Sequence, residues 1–260
     1  MSVFWAVSNN VGDAWVAYLY RKLTGKLPVW AKPQESGYVL GGSVLNHAGP
    51  HTICWGAGLA SLRDEVHPDA DIRSFRGPLS RTIAMASGNM GPEIYGDSSM
   101  IAPDLLSTRR NGKPLRQPLH KLGVIPHYVD MQRTWAWHQD AQDTGGVKLI
   151  NVFAPVEEFI EEVNSCTRIV SSSLHGLVFA HAYGIPALWV KISDSIGGDG
   201  SKYRDHLMAM GMDVYAPVDC RSGFPTVGEL CNRVDALGPV PEFDRAPLWA
   251  AMPEELRGAR

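Results

Sequence analysis

Between residues 168 and 190 only Arg168 carries a full charge, and the residue pattern changes from β-prone to helical and back. Residues 168–172 read as a strand, 174–183 as a helix that is apolar on nearly every face, and 185–190 as a second strand after Gly184 and Pro186 end the helix. A helix with no polar face has to be covered on all sides. A strand, a helix and a strand joined by short connections place the two strands in parallel. Together these requirements restrict the chain to an α/β fold in which helices cover a parallel sheet.

The same alternation runs along the rest of the chain. Strands are predicted at 3–7, 38–40, 52–55, 72–76, 93–95, 122–129, 149–153 and 213–216. Helices are predicted near 13–23, after Pro78, across 131–137, at 156–163, 203–210 and 227–237. The stretch 107–118 is polar, basic and proline-containing, which suits a linker. The expected organisation is an N-terminal lobe at 1–106, a linker at 107–119, a C-terminal lobe at 120–240, and a tail at 241–260 that packs back on the N-terminal lobe. Both lobes are expected to be Rossmann-like and to face one another across a cleft, since open α/β sheets bind ligands beyond the carboxyl ends of their strands. No solenoid-period repeat and no low-complexity tract is visible.

Charge narrows the partner class. The chain of 260 residues carries 24 Lys and Arg against 27 Asp and Glu, a net charge of −3, so it has no global positive field to hold a nucleic acid. An anionic ligand has to be small and held by a few placed cations and backbone amides. The cysteines Cys54, Cys166, Cys220 and Cys231 form no CxxC pair, and buried free thiols are expected. His47 and His51 have helical ligand spacing, but Gly49 and Pro50 break the helix that would use it, so no metal is assigned. Ser8, Asn9, Asn10 and Asp13 interrupt the opening apolar stretch too early for an export signal or a membrane span. The expected location is cytoplasmic.

Ser171-Ser172-Ser173-Leu174-His175-Gly176 joins a strand end to the apolar helix. The first-turn N–H groups and helix dipole there attract phosphate or carboxylate, and His175 would stand at the same end as an acid or base. For a lone histidine the competing reading is a capping residue packed under the next turn. Asn10-Val11-Gly12-Asp13 opens the first helix in the corresponding place of the other lobe, with Gly12 allowing close backbone approach and Asp13 as N-cap or base. Arg76 and Arg81 flank the Gly77-Pro78 turn and could grip an anion or form ion pairs. The stretch 195–204, SIGGDGSKYR, reads as a mobile flap or flexible linker followed by Lys202 and Arg204, and lacks P-loop and dinucleotide glycine spacing.

Taken together, these segments resemble the polysaccharide pyruvyltransferase family. The similarity runs through Asn10 to Asp13, GGSVL at 41–45, WGAG at 55–58, FRGPLSR at 75–81, Gly96-Asp97, IPHYVD at 125–130, SSSLHG and AHAYGIPALWV within 171–190, and KYRDHLMAMG at 202–211. The resemblance implies a glycosyltransferase-B-like pair of lobes and, with no cofactor, phosphoenolpyruvate as donor of a pyruvate ketal to a terminal sugar of an exopolysaccharide repeat unit. His175 matches the motif histidine, and many members carry Arg where this chain has Ser173. Arg76, Arg81, Lys202 or Arg204 would then supply the donor-binding charge.

On that resemblance His175 is the expected general acid or phosphate partner and Asp13 a candidate base. Asn10, Gly12, Ser172, Ser173, Gly176 and the four cations are expected to bind substrate. The acceptor could be lipid-linked and met at the inner face of the membrane by the basic stretch 109–121, for which a solvated linker is the competing reading. Two alternatives use the same architecture: a nucleotide-sugar-dependent glycosyltransferase, and a non-catalytic saccharide-binding protein.

Overall fold

Two parallel sheets, each wound in the same order, organise the computed structural model. It describes residues 2–6, 10–110, 113–114, 117–141 and 146–257. The chain begins with β1 (Ser2–Phe4), α1 (Val11–Thr24), β2 (Val29–Trp30), β3 (Tyr38–Val39), β4 (Ile53–Cys54), β5 (Asp71–Ile72), α2 (Pro78–Ala86) and α3 (Ala102–Leu105). A short antiparallel pair, β6 (Arg109–Arg110) and β7 (Lys113–Pro114), precedes β8 (Leu122–Ile125), α4 (Met131–Ala141), β9 (Val147–Leu149) and α5 (Val156–Asn164). Then follow β10 (Ile169–Ser171), α6 (Leu174–Ala182), β11 (Ala187–Lys191), α7 (Ser201–Ala209), β12 (Val218–Asp219), α8 (Val227–Asp235) and α9 (Ala246–Ala250).

The chain divides into two compact units. The first comprises Met1–Ile101, Gly198–Val214 and Phe243–Arg260, and the second Ala102–Gly197 and Tyr215–Glu242. This differs from the lobes expected from sequence at 198–214, which join the first unit. The physical reason is the buried Asp205 carboxylate in α7, which needs donors and finds them at the start of α2, on Leu79 N at 2.9 Å and Ser80 N at 3.1 Å.

In the first unit the strand order is β2-β1-β3-β4-β5, all parallel. Phe4, Val39, Cys54, Ile72 and Phe75 pack in its core with Leu45 and Leu59. The edge strand β2 is exposed on both residues, so it carries no hydrophobic alternation and was not predicted. Tyr95 joins the sheet only by a bridge to Phe75.

In the second unit the order is β12-β11-β10-β8-β9, again all parallel. The central strands β8 and β10 are buried along their whole length, and eight of the nine residues of α6 are buried. That burial is what the apolar run required. Phe159 of α5 meets Phe179 of α6 edge-on, with ring centroids 5.6 Å apart.

The last strand lies at Val218–Asp219, not at the predicted 213–216. Tyr215 explains the shift, because its hydroxyl reaches back to accept from Trp189 N on β11 at 3.1 Å, and pairing with β11 resumes only at Val218. The predicted strand end at Val7 and the linker residues Gly112 and Arg116 lie outside the described residues.

Candidate active site

In each five-stranded sheet the strand that comes first in sequence sits between the second and the third, so the strand order reverses direction at one point. Ligands of open α/β sheets bind outside the carboxyl ends of the strands at that reversal. In the second unit the point lies between β8 and β10, whose last residues Ile125 and Ser171 are register partners. The segment leaving β10 is SSSLHG.

Ser171 Oγ lies 2.7 Å from Ile125 O and 2.8 Å from Ser173 O, and accepts from Ser173 N at 2.9 Å, which fixes the turn into α6. Gly176 is needed there, since a Cβ at that position would stand 2.2 Å from Ser171 Oγ and 2.9 Å from Ile125 Cγ2. Ser172 Oγ donates to Asp130 Oδ2 at 2.7 Å and accepts from His127 N at 2.9 Å. The loop after β8 is thereby tied to the loop after β10.

Ser173 is the N-cap residue of α6, but its side chain makes no capping hydrogen bond. The first-turn N–H groups therefore keep the anion-receptive character of a helix start. His175 is the second residue of this helix and half-buried, with its ring centroid 6.4 Å from that of Phe179. Six residues later on the same helix, burial lowers the pKa of His181 to about 4, with a hydrogen bond to the Ala187 backbone acting against the shift. The neutral His181 packs inside the unit while His175 stands at the helix start.

In the first unit the reversal lies between β1 and β3, and the segment leaving β1 leads to α1. Asn10 is the N-cap, accepting from Gly12 N at 2.9 Å and Asp13 N at 3.3 Å. Of the two roles expected for Asp13, N-cap or base, the first is corrected: Asn10 is the cap, Asp13 occupies the first turn, and Asn10 Nδ2 donates to its Oδ2 at 2.8 Å. A carboxylate in a first turn is favoured by the helix dipole.

Arg76 is fully buried and committed. Its Nη2 lies 3.0 Å from Asp205 Oδ2, Nε donates to the same oxygen at 3.1 Å, Nη1 donates to Ser43 Oγ at 2.8 Å, and Nη2 donates to Leu59 O at 2.6 Å. Ser43 belongs to the loop leaving β3, so this guanidinium braces a loop at the reversal point. Arg81 turns aside, with Nε donating to Gly91 O at 3.1 Å and Nη1 3.0 Å from Glu93 Oε1. Arg204 is exposed on α7.

Lys202 is different, being buried in the first turn of α7 near Arg76. Burial, and secondarily the Arg76 charge, lower its pKa to about 8. An anion beside this ammonium would offset both effects.

The glycine-rich segment expected as a flap is anchored at its second half. Asp199 Oδ2 accepts from Leu62 N at 2.9 Å and Ser61 Oγ at 3.2 Å, and a Cβ on Gly198, at φ +98°, would stand 2.3 Å from Ala60 O. Burial alone would raise the Asp199 pKa, but hydrogen bonds from Ser201, Leu62 and Ser61 together hold it well below the usual carboxylate range. His47 ends a 3-10 turn (Leu45–His47) and His51 adopts φ +63°, so the two share no helix face.

The first unit thus gathers Asn10 with Asp13 and Arg76 with Lys202, while the second gathers Ser172, Ser173, His175 and Gly176. Asp205, Ser43 and Asp130 had no assigned role in the sequence reading. An acidic residue amid the buried positions of a short helix, as Asp205 is in α7, was the available signal. Among the described residues no helix is long and apolar enough to cross a membrane.

Comparison with known proteins shows the family. The family model described as polysaccharide pyruvyl transferase matches residues 6–194. An uncharacterized protein, L143, of Acanthamoeba polyphaga mimivirus is 25% identical over 213 residues, covering 78% of this chain and 72% of that protein. The succinoglycan biosynthesis protein ExoV of Rhizobium meliloti (strain 1021) is 27% identical over 220 residues, covering 80% of this chain and 64% of that protein.

Proposed function

Because the chain belongs to the polysaccharide pyruvyl transferase family, we propose that it transfers a pyruvyl group from phosphoenolpyruvate to a sugar of an exopolysaccharide precursor, forming a pyruvate ketal. Similarity to a protein named for succinoglycan biosynthesis supports the exopolysaccharide part of this reading. The observation that carries the chemistry is the placement of His175 at the start of α6, beside uncapped first-turn N–H groups and at the carboxyl-end reversal point of its sheet.

The reaction balances as follows. Protonation of the donor's methylene carbon leaves an oxocarbenium-like centre on the adjacent carbon, and one sugar hydroxyl attacks it. Phosphate then leaves, and a second hydroxyl closes the ketal. One hydroxyl proton in effect replaces the proton given to the methylene, and the other departs with phosphate. His175 is assigned as general acid or phosphate partner, with the α6 N–H groups receiving the anion. Asp13 is assigned as a base for an acceptor hydroxyl.

Of the four cations named from sequence, Lys202 is the one assigned to donor binding, because it is buried in the first turn of α7 near Arg76, where an anion would favour its charged form. Arg76 is assigned the supporting role of holding Ser43 and shaping the field at Lys202. The reading also takes the reaction to be cytoplasmic, where phosphoenolpyruvate is made. Incubation of candidate oligosaccharides with phosphoenolpyruvate and this protein should yield products heavier by one pyruvate ketal, together with equimolar phosphate. Consumption of a nucleotide sugar with no ketal product would replace this reading by the glycosyltransferase one.

A further inference from the structure

We propose that an aromatic shelf formed by His127, Tyr128 and Phe153 on the second unit binds a neutral hexose ring of the acceptor, a proposal that rests on the pyruvyl-transfer reading above. The shelf is built from the loops that leave two adjacent strands, β8 and β9, at their carboxyl ends. The rings of His127 and Tyr128 lie 4.4 Å apart at 33°, and Tyr128 and Phe153 lie 6.5 Å apart at 51°.

Tyr128 is 39% and Phe153 47% exposed, whereas the rings of Trp15, Trp55, Phe75, Phe159 and Phe179 are fully buried. Leaving such rings in water forgoes roughly 1.5–3 kcal/mol of burial for a fully exposed side chain, so folding alone gives no reason to hold two of them side by side at a rim. The shelf is continuous with the candidate site, because His127 N donates to Ser172 Oγ, one residue before the cap of α6.

Three features select the occupant. First, the segments that form the shelf, 124–129 and 149–154, contain no acidic residue and no lysine or arginine, which disfavours an acidic sugar or a phosphate. Second, hydrogen-bonding groups border the rings: Asn151 is exposed, its Oδ1 accepts from Phe153 N at 3.0 Å, and its two Nδ2 donors bond to no described residue. A pyranose presents an apolar C–H face with hydroxyls around its edge, which fits rings flanked by amide donors. Third, the exposed fractions correspond to roughly 200 Å² over Tyr128 and Phe153, about one sugar ring and well below the ~800 Å² per side of a typical protein interface.

The test uses the full chain with maltotetraose, cellotetraose and a galacto-oligosaccharide as probes, observed by saturation-transfer NMR, and compares wild type with Tyr128→Ala and Phe153→Ala. The shelf predicts binding of at least one probe by wild type, weakened about five- to tenfold in each variant. It also predicts, in ketal formation, a matching rise in acceptor KM with the phosphoenolpyruvate KM unchanged. Absence of saccharide binding by wild type, or equal binding by both variants, overturns the shelf. Shelf-dependent binding without any ketal product would overturn the pyruvyl-transfer reading and leave the shelf standing. Ketal formation with unchanged acceptor KM in both variants would do the reverse.

Discussion

Ser172 donates a 2.7 Å hydrogen bond to Asp130 across the two loops that leave β8 and β10, and both residues are fully buried. Among the described residues it is the carboxylate's one hydrogen bond, since Asp130 Oδ1 has no partner. Removing a donor from a buried charge leaves the desolvation cost uncompensated. Ser172→Ala should therefore destabilise the protein by about 3 kcal/mol in urea unfolding. Asp130→Asn should cost less, and the double variant less than the sum, as expected for groups in contact. Additive losses would show that the two side chains are not coupled.

The buried pair of Arg76 and Asp205 sets a second expectation. Asp205→Ala removes partners from Arg76, from two backbone N–H groups of α2 and from Ser80 Oγ, and should cost about 3–5 kcal/mol. Arg76→Lys should not rescue, because one ammonium cannot reproduce the bonds to Asp205, Ser43 and Leu59. Thermal melting of both variants checks this; a melting temperature within a degree or two of wild type for Asp205→Ala would contradict it.

His181 makes stability depend on pH with a definite sign. Its folded pKa of about 4 lies below the ordinary value of 6.5, so between these values the unfolded chain binds the extra proton. The neutral ring's contribution is complete above pH 6.5 and is lost as pH falls towards 4, amounting to roughly 3 kcal/mol. His181→Gln should be less stable at pH 7 but lack this part of the acid dependence. Parallel stability curves for wild type and variant from pH 7 to 4 would rule out the effect.

Lys202 gives donor binding the opposite dependence. With a free-state pKa of about 8, the ammonium loses its proton as pH rises above that value, and a bound anion would favour the charged form. Phosphoenolpyruvate affinity should thus fall by up to about tenfold per pH unit above pH 8. Lys202→Met should bind weakly with a flat profile over the same range. Calorimetric titration at pH 7, 8 and 9 distinguishes the two, and a flat wild-type profile would remove Lys202 from the donor site.

Local pattern carried much of the fold. The apolar run at 174–182 announced a buried helix, and the β-prone residues before and after it announced parallel neighbours, because burial on both faces is written in composition. Edge strands left no such trace, as Val29 and Trp30 show by being exposed. The start of α6 after Ser173 was legible because it depends on residues a few positions apart, whereas the cap of α1 falls on Asn10, three positions before the Asp13 that was expected as a cap or base. The engagement of Arg76 was not legible, because its partner lies 129 positions later and nothing short-range links them. The same distance separates the expected lobe boundaries from the compact units at α7, whose membership follows where one buried carboxylate finds donors.

The role of His175 is tested most directly by phosphate release from phosphoenolpyruvate in the presence of an acceptor that wild type converts to its ketal. His175→Ala should retain the wild-type melting profile and lose at least about a hundredfold in turnover, the usual contribution of a positioned acid or base. Turnover close to wild type in that variant would contradict the assignment of the reaction to the start of α6.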